Sequence, residues 1–194
     1  LHWSEVTASD MVLCDHTGTV LEGKHPVEET AFFIHSRVHR AKPGAVAVLH
    51  THQPYTTALT LLEGGRLEMA GQNALMFDGR VAYEEGFNGL ALDGDEGERL
   101  ARALGDKDTL MMAGHGVLTT GPNLPMAFND LYYLERACMF QVLARSHGGA
   151  LRVIPQEVRE KMRTQIREDL PKVARGHFSA IKRVLEREAP EFSR

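Results

Sequence analysis

The stretch of sequence that decides the fold is Ala45-Val46-Ala47-Val48-Leu49-His50-Thr51-His52, an apolar run that ends in a pair of histidines. An unbroken apolar run of this length is typical of a β-strand that is covered on both faces. Side chains two residues apart on a strand point to the same face, with their Cα atoms about 6.6 Å apart. We therefore expect His50 and His52 to face the same point at the end of a buried strand.

Helices are predicted on both sides of this strand. Residues 28–42 carry acidic side chains in their first turn and basic ones late, which is the order that a helix dipole favours. Pro43 and Gly44 end that helix. On the other side of the strand, Pro54 begins a second helix that is expected to reach residue 62.

A third histidine follows a second apolar run. Residues 109–113 are predicted to form a buried strand that leads directly into Gly114-His115-Gly116. Functional sites collect at the strand ends of a covered sheet, and the two glycines let the backbone approach a ligand closely. Three imidazoles from two strand ends would leave one coordination position of a metal ion open, which is the pattern of a catalytic site. For the first histidine pair alone, ordinary polar contacts are an equally good explanation.

The remaining elements favour a mixed sheet covered by helices. Two β-hairpins are predicted, one turning at residues 15–18 and one at Asp78-Gly79, between residues 74–77 and 80–83. Helices are predicted over three further segments: residues 93–104, residues 124–147 and a tail from Pro155 with a turn near Pro171. Because strands and helices do not alternate in a strict βαβ rhythm, we expect an α/β fold without a purely parallel sheet.

The composition excludes several classes of function. The 194 residues carry a formal net charge of −4, and the isoelectric point is about 6.2, so there is no general positive field for nucleic acid. No apolar run approaches the roughly 18 residues of a membrane span. Two cysteines without a CxxC spacing fit a reducing compartment. We expect a cytoplasmic protein that acts on a small molecule, without a nucleic-acid or membrane partner.

Two segments resemble the signatures of the class II aldolase and adducin family. Residues 40–52 resemble the first signature, residues 110–118 resemble the second, and their separation is the expected one. The resemblance implies a three-layer α/β/α sandwich with a central mixed, largely antiparallel sheet over residues 1–150. Residues 151–194 are then expected to be a helical C-terminal extension of the same domain. Family members carry a helix and a strand ahead of the position of Leu1, so we expect these N-terminal elements to be missing.

The resemblance also implies a metal and an assembly. Enzymes of the family bind a divalent metal through the histidines that correspond to His50, His52 and His115. Zinc is the usual ion, with manganese and iron as alternatives. Family members are usually homotetramers whose active sites lie at subunit contacts, so a homotetramer is expected here.

The match departs from the sugar-phosphate aldolases at one place. Their catalytic glutamate lies four residues before a histidine that resembles His35, and this position is Ala31 here. The two serines that help to hold the substrate phosphate are replaced by Glu29 and Thr30, and a carboxylate there would repel phosphate. Glu29 is a candidate for a displaced acid or base. The alternative is that it only complements the helix dipole.

These observations predict a metal-dependent carbon–carbon lyase, either an aldolase or a decarboxylase, for a small and unphosphorylated hydroxy- or oxo-acid. Bond cleavage would leave an enediolate whose charge the metal stabilises. Within the same family, a sugar-phosphate aldolase, an epimerase and an iron-dependent oxygenase are alternatives. A non-catalytic scaffold like the adducin head domain is an alternative of another class, but such domains are expected to lack the three histidines.

Overall fold

A computed structural model describes residues 1–89 and 94–194 of the chain. Six strands are found in this described part: β1 (Leu13–Cys14), β2 (Val20–Glu22), β3 (Ala47–Thr51), β4 (Val81–Glu84), β5 (Thr109–Met112) and β6 (Gly116–Gly121). The same part contains six α-helices: α1 (Glu29–Ala41), α2 (Pro54–Thr60), α3 (Gln72–Leu75), α4 (Gly94–Leu104), α5 (Leu124–Ser146) and α6 (Gln156–Glu188).

The central sheet has the strand order β3-β6-β5-β4. β6 runs antiparallel to both of its neighbours, whereas β4 and β5 are parallel. The predicted mixed and largely antiparallel sheet is therefore confirmed. β1 and β2 form a separate antiparallel pair, which confirms the hairpin that was predicted around residues 15–18.

Helices cover both faces of the sheet and create two apolar cores. Successive side chains on a strand alternate between the faces, so Leu110 and Met112 belong to one core while Met111 between them belongs to the other. The first core lies under α1 and α4, and the second lies under α2, α3 and α5. Each fully buried leucine in these cores contributes about 2 kcal/mol. The three-layer α/β/α sandwich is confirmed.

The hairpin that was predicted at Asp78-Gly79 is wrong. Residues 72–75 form the short helix α3, and the following turn leads into β4, which pairs in parallel with β5. Gly79 does adopt the positive φ of 75° that a turn requires. However, the turn joins a helix to a strand. Phe77, between α3 and the turn, is completely buried, and the amide of Arg80 donates to its carbonyl at 2.9 Å. A turn signal identifies the bend but not the elements on its two sides.

The turn that was predicted near Pro171 is also wrong, since α6 continues through it. Proline inside a helix removes one backbone hydrogen bond. Packing against the body of the protein keeps the helix together, with Ala174 completely buried and Arg159 and Arg163 bound to the buried Asp78. The predicted start of the helix over residues 93–104 lies outside the described residues, and α4 is described from Gly94.

Within the described residues, no helix has both the length and the apolar composition that crossing a membrane requires.

Candidate metal centre

The antiparallel pairing of β3 and β6 brings the three predicted histidines to one end of the sheet. His50 lies in β3 opposite Leu118, His52 directly follows β3, and His115 directly precedes β6. One nitrogen from each imidazole lies within 4.8 Å of the other two. The ring centroids are 4.7 to 5.1 Å apart. The structure therefore brings together all three side chains that the sequence singled out as metal ligands.

Two glycines make this close approach feasible. Gly114 has a φ of 63°, and its amide donates to the carbonyl of Thr60 at 3.0 Å, which fixes the turn that carries His115. A Cβ atom at Gly116 would lie 2.5 Å from the carbonyl oxygen of Thr51 and 2.7 Å from Cδ2 of His52. Only glycine fits there, because real Cβ contacts are never this short. The glycines that flank the third histidine thus serve to pack its strand against the other two ligands.

A hydrogen bond selects the tautomer of His50. Its Nδ1 lies 2.9 Å from the carbonyl oxygen of Val117, and a carbonyl only accepts, so Nδ1 must carry the proton. The lone pair of Nε2 is then free for a ligand. Hydrogen bonds from the second ring nitrogen to a carbonyl are the usual way in which proteins orient metal-binding histidines.

The surroundings favour the uncharged imidazole at two of the three positions, His50 and His115. Burial lowers the pKa of His50, and the neighbouring His52 lowers it further. Burial, followed by the charges of His50 and His52, lowers the pKa of His115 to about 4. Three imidazole nitrogens held this close together are a donor set that fits a divalent cation such as Zn²⁺, Fe²⁺ or Mn²⁺.

Glu135 fixes the chain directly after the histidine pair. One of its carboxylate oxygens accepts the amide of Tyr55 at 2.9 Å, and the other accepts the amide and the hydroxyl of Thr56 at 2.8 and 2.6 Å. The first turn of α2, which begins two residues after His52, is thereby attached to α5. Sequence reasoning missed this residue, because a single acidic side chain in a long helix carries no motif.

Acidic residues at the starts of α1 and α4 differ in their relation to the triad. Glu29 is exposed at the first position of α1 and is not part of the histidine cluster, so its role as acid or base stays a prediction. Glu28 accepts the amides of Thr30 and Ala31 at 3.3 and 2.6 Å. Glu96 of α4 is close enough for its charge to raise the pKa of His115 against the effect of burial. No motif marks Glu96, since only the packing of α4 places it near His115.

His35, which aligns the chain with the family, lies in α1 near the triad. Burial, followed by the charges of His50 and His39, lowers the pKa of His35 to about 4. Because the folded pKa lies below the ordinary value of 6.5, protonation favours the unfolded chain.

Acid is therefore expected to destabilise the metal-free protein as the pH falls from 6.5 towards 4, by up to about 1.4 kcal/mol per pH unit for His35 alone. Urea unfolding between pH 7.5 and pH 4.5 measures this slope. The variant His35→Gln should show a shallower slope, whereas His16→Gln, an exposed histidine in the β1–β2 turn, should match the wild type. Equal slopes for wild type and His35→Gln would contradict the burial of a neutral His35.

Fold and site together define the class of the protein, namely an α/β/α sandwich with a histidine triad of metal-binding type at the strand ends. Residues 1–142 match the family model described as "Class II Aldolase and Adducin N-terminal domain". The chain belongs to the class II aldolase and adducin family.

Similar proteins extend over the whole chain. A putative aldolase class 2 protein of Caulobacter vibrioides is 32% identical over 100% of this chain and 75% of its own length. The crystal structure of an aldolase II superfamily protein from Pseudomonas syringae superposes with a TM-score of 0.89, at 38% identity, over 99% of this chain and 77% of that one. L-fuculose 1-phosphate aldolase from Glaciozyma antarctica superposes with a TM-score of 0.84, at 26% identity, over 100% of this chain and 75% of that one.

Other relatives carry names from different functional classes. Decarboxylase NovR of Streptomyces niveus is 31% identical over 80% of this chain and 57% of its own length. Human beta-adducin is 34% identical over 76% of this chain and 20% of its own length. The chain thus spans three quarters of the Caulobacter protein and smaller shares of these two.

Proposed function

We propose that the protein is a metal-dependent carbon–carbon lyase for a small, unphosphorylated hydroxy- or oxo-acid. The observation that carries the proposal is the triad of His50, His52 and His115, whose three nitrogen donors lie within 4.8 Å of one another. His52 is exposed, so the site is open to a small molecule on that side. A structural metal site is normally closed by a fourth protein ligand. Among the described residues, the cluster ends with the three histidines.

A divalent ion bound there would supply Lewis-acid chemistry, polarising substrate oxygens and stabilising the negative charge that develops as a carbon–carbon bond breaks. The chain's own contribution is to hold that site in place. Val117 orients the ring of His50, and Glu135 fixes the backbone beyond His52. The lowered pKa of His115 keeps its lone pair available at neutral pH. Little rearrangement is then needed during the reaction.

The start of α1 supports an unphosphorylated substrate. Phosphate binds to helix N-termini through free backbone amides. Here Glu28 already accepts the amides of Thr30 and Ala31, and these hydrogen bonds lower its pKa, so the carboxylate is ionised. The exposed Glu29 adds a second negative charge. A phosphate group would have to displace one carboxylate and approach another.

An acid or base must also move a proton at the substrate carbon. We assign this role to Glu29, which starts the helix that carries His35, in the turn where the sugar-phosphate aldolases are expected to carry their glutamate. The assignment predicts that Glu29→Gln lowers kcat while leaving the metal content unchanged.

The experiment that tests the proposal is an activity screen of the zinc- and manganese-loaded protein against 2-hydroxy and 2-oxo acids and their phosphate esters. Released aldehyde and carbon dioxide are both monitored, because they distinguish an aldolase from a decarboxylase. We expect carboxylate or hydroxyl substrates to turn over at least about tenfold faster than their phosphate esters, since two carboxylates repel phosphate. Faster turnover of a sugar phosphate would contradict the substrate class and favour the sugar-phosphate aldolase reading.

The second candidate is a non-catalytic scaffold, which the similarity to human beta-adducin brings into consideration. Metal content separates the two candidates. A well-folded protein that takes up no divalent metal would contradict the lyase and favour the scaffold.

The lyase proposal also includes four expectations from the sequence. These are zinc as the resident ion, a homotetramer, a cytoplasmic location, and the absence of a membrane or nucleic-acid partner.

We further propose that residues 151–194 extend the domain of residues 1–150 rather than forming a second one. The support is that α6 packs along α5 and also contacts α3. Its arginines Arg159 and Arg163 bind the buried Asp78 of the body.

A further inference from the structure

An exposed aromatic side chain lies beside the histidine triad. Phe87 follows β4, and its ring centroid is 6.2 Å from that of His115, with the ring planes at 65°. A Cβ atom at Gly114 would lie 3.9 Å from the Cβ of Phe87, so the ring packs over the turn that carries the third ligand. Nevertheless, 57% of Phe87 remains exposed. The free face of a large apolar ring therefore borders the candidate metal centre.

Partly buried charged side chains fix the backbone that carries this ring. The amide of Gly86 donates to Glu84 at 2.9 Å, and its carbonyl accepts from Arg99 at 3.2 Å. A Cβ atom at Gly86 would lie only 3.2 Å from the carboxylate of Glu84. Arg99 also forms ion pairs with Glu84 and, at 2.6 Å, with Glu96. Phe87 thus follows a backbone position that is held from both sides, and such preorganisation lowers the cost of binding a ligand.

We propose that Phe87 forms an apolar subsite beside the metal centre and selects substrates that carry an aromatic or branched apolar group next to their metal-binding oxygens. The proposal rests on the proposed function, because it needs a ligand at the triad. A molecule whose oxygens lie at the open side of the triad has His115 as a neighbour. A substituent that extends about 6 Å further meets the ring of Phe87, where an edge-to-face or offset contact is favourable.

Two simple chelators that differ only in their apolar group test the proposal by binding alone. Acetohydroxamic acid and phenylacetohydroxamic acid are titrated calorimetrically into the zinc-loaded, full-length chain. We expect the phenyl compound to bind about tenfold more tightly to the wild type, as an aromatic contact of this kind allows. In Phe87→Ala the two affinities should agree within about twofold, and Phe87→Tyr, which keeps the ring, should retain the preference. The matched control is Leu124→Ala, since Leu124 is 46% exposed and begins α5 at the other end of the sheet.

The outcomes separate this inference from the proposed function. Equal affinities in the wild type, or an unchanged preference in Phe87→Ala, would overturn the subsite and leave the lyase proposal standing. Failure of both hydroxamates to bind, or failure of the chain to take up zinc, manganese or iron, would contradict both. If Phe87→Ala changes the molar mass measured by light scattering and keeps the preference, the ring is a contact between copies of the chain and the subsite is overturned. Because Phe87 is exposed, the variant is expected to unfold within a few degrees of the wild-type Tm.

Discussion

Replacing His50 and His52 together with alanine is expected to remove the metal and with it the activity. Two of the three predicted ligands are lost, so the bound divalent metal should fall from about one ion per chain to a trace. If the protein is a lyase, turnover should fall by about 10² to 10⁴, because stabilisation by a Lewis acid is worth several kcal/mol of the barrier. Metal content by atomic emission, measured after gel filtration, and turnover of the best substrate check the two parts of the prediction.

The fold should survive this change. His52 is exposed, and His50 makes one described side-chain hydrogen bond, to Val117, whose loss costs about 1 kcal/mol. His16→Ala is the matched control, since it removes an exposed histidine in the β1–β2 turn, and it should keep both metal and activity. A double variant that retains a stoichiometric metal ion would show that the triad is not the site. The single variant His52→Ala separates loss of a ligand from loss of the hydrogen bond to Val117.

The histidine triad could be predicted from the sequence because local geometry nearly determines it. Strand pleating puts His50 and His52 on one face, and the glycines around His115 predict a close approach of backbone. No strand was predicted over residues 116–121, which form β6. The pairing of β6 with β3 is what brings His115 next to His50 and His52. Its sequence, Gly116-Val117-Leu118-Thr119-Thr120-Gly121, begins and ends in glycine and is too short to show a clear period.

Residues whose contacts join distant parts of the sequence could not be predicted from it. Glu135 meets α2 from 80 residues away, and Glu96 reaches the triad only through the packing of α4. Similarly, Phe87 has no motif of its own, and its position depends on the arginine that holds Gly86. These contacts follow from the arrangement of the layers, which a periodicity in the sequence does not specify.

The Asp78-Gly79 turn illustrates the same limit in the fold. An Asp-Gly pair between two apolar segments is a strong hairpin signal. The physical reason for the different outcome lies next to it, in Arg80, which is the first residue after the turn. Its guanidinium donates to Asp130 of α5, to Asp108 before β5 and to the carbonyl of Met76. These contacts direct the chain into a parallel strand beside β5.

Replacing Arg80 with alanine is consequently expected to lower the free energy of unfolding by about 3–5 kcal/mol, because it leaves a buried charge without its partner. The Asp130 side chain is only 2% exposed and lies 2.5 Å from the guanidinium, whose own side chain is 22% exposed. Arg102→Ala is the matched control. Its side chain is 70% exposed and 3.8 Å from Glu98, so its removal should cost less than about 0.5 kcal/mol. Urea unfolding of the two variants at pH 7 gives the comparison.

The pH dependence of the free energy of unfolding of Arg80→Ala identifies the cause of its lost stability. Burial already raises the pKa of Asp130 even though Arg80 opposes it. Without Arg80 that pKa rises further, so the folded variant binds a proton that the unfolded chain releases at its ordinary pKa of about 3.9. The deficit in stability should therefore be largest at neutral pH and shrink as the pH falls towards 5. Adding Asp130→Asn, which removes the charge, should recover more than half of the loss at pH 7. A deficit that is independent of pH and unaffected by Asp130→Asn would mean that lost packing of the arginine stem, and not the buried carboxylate, accounts for the destabilisation.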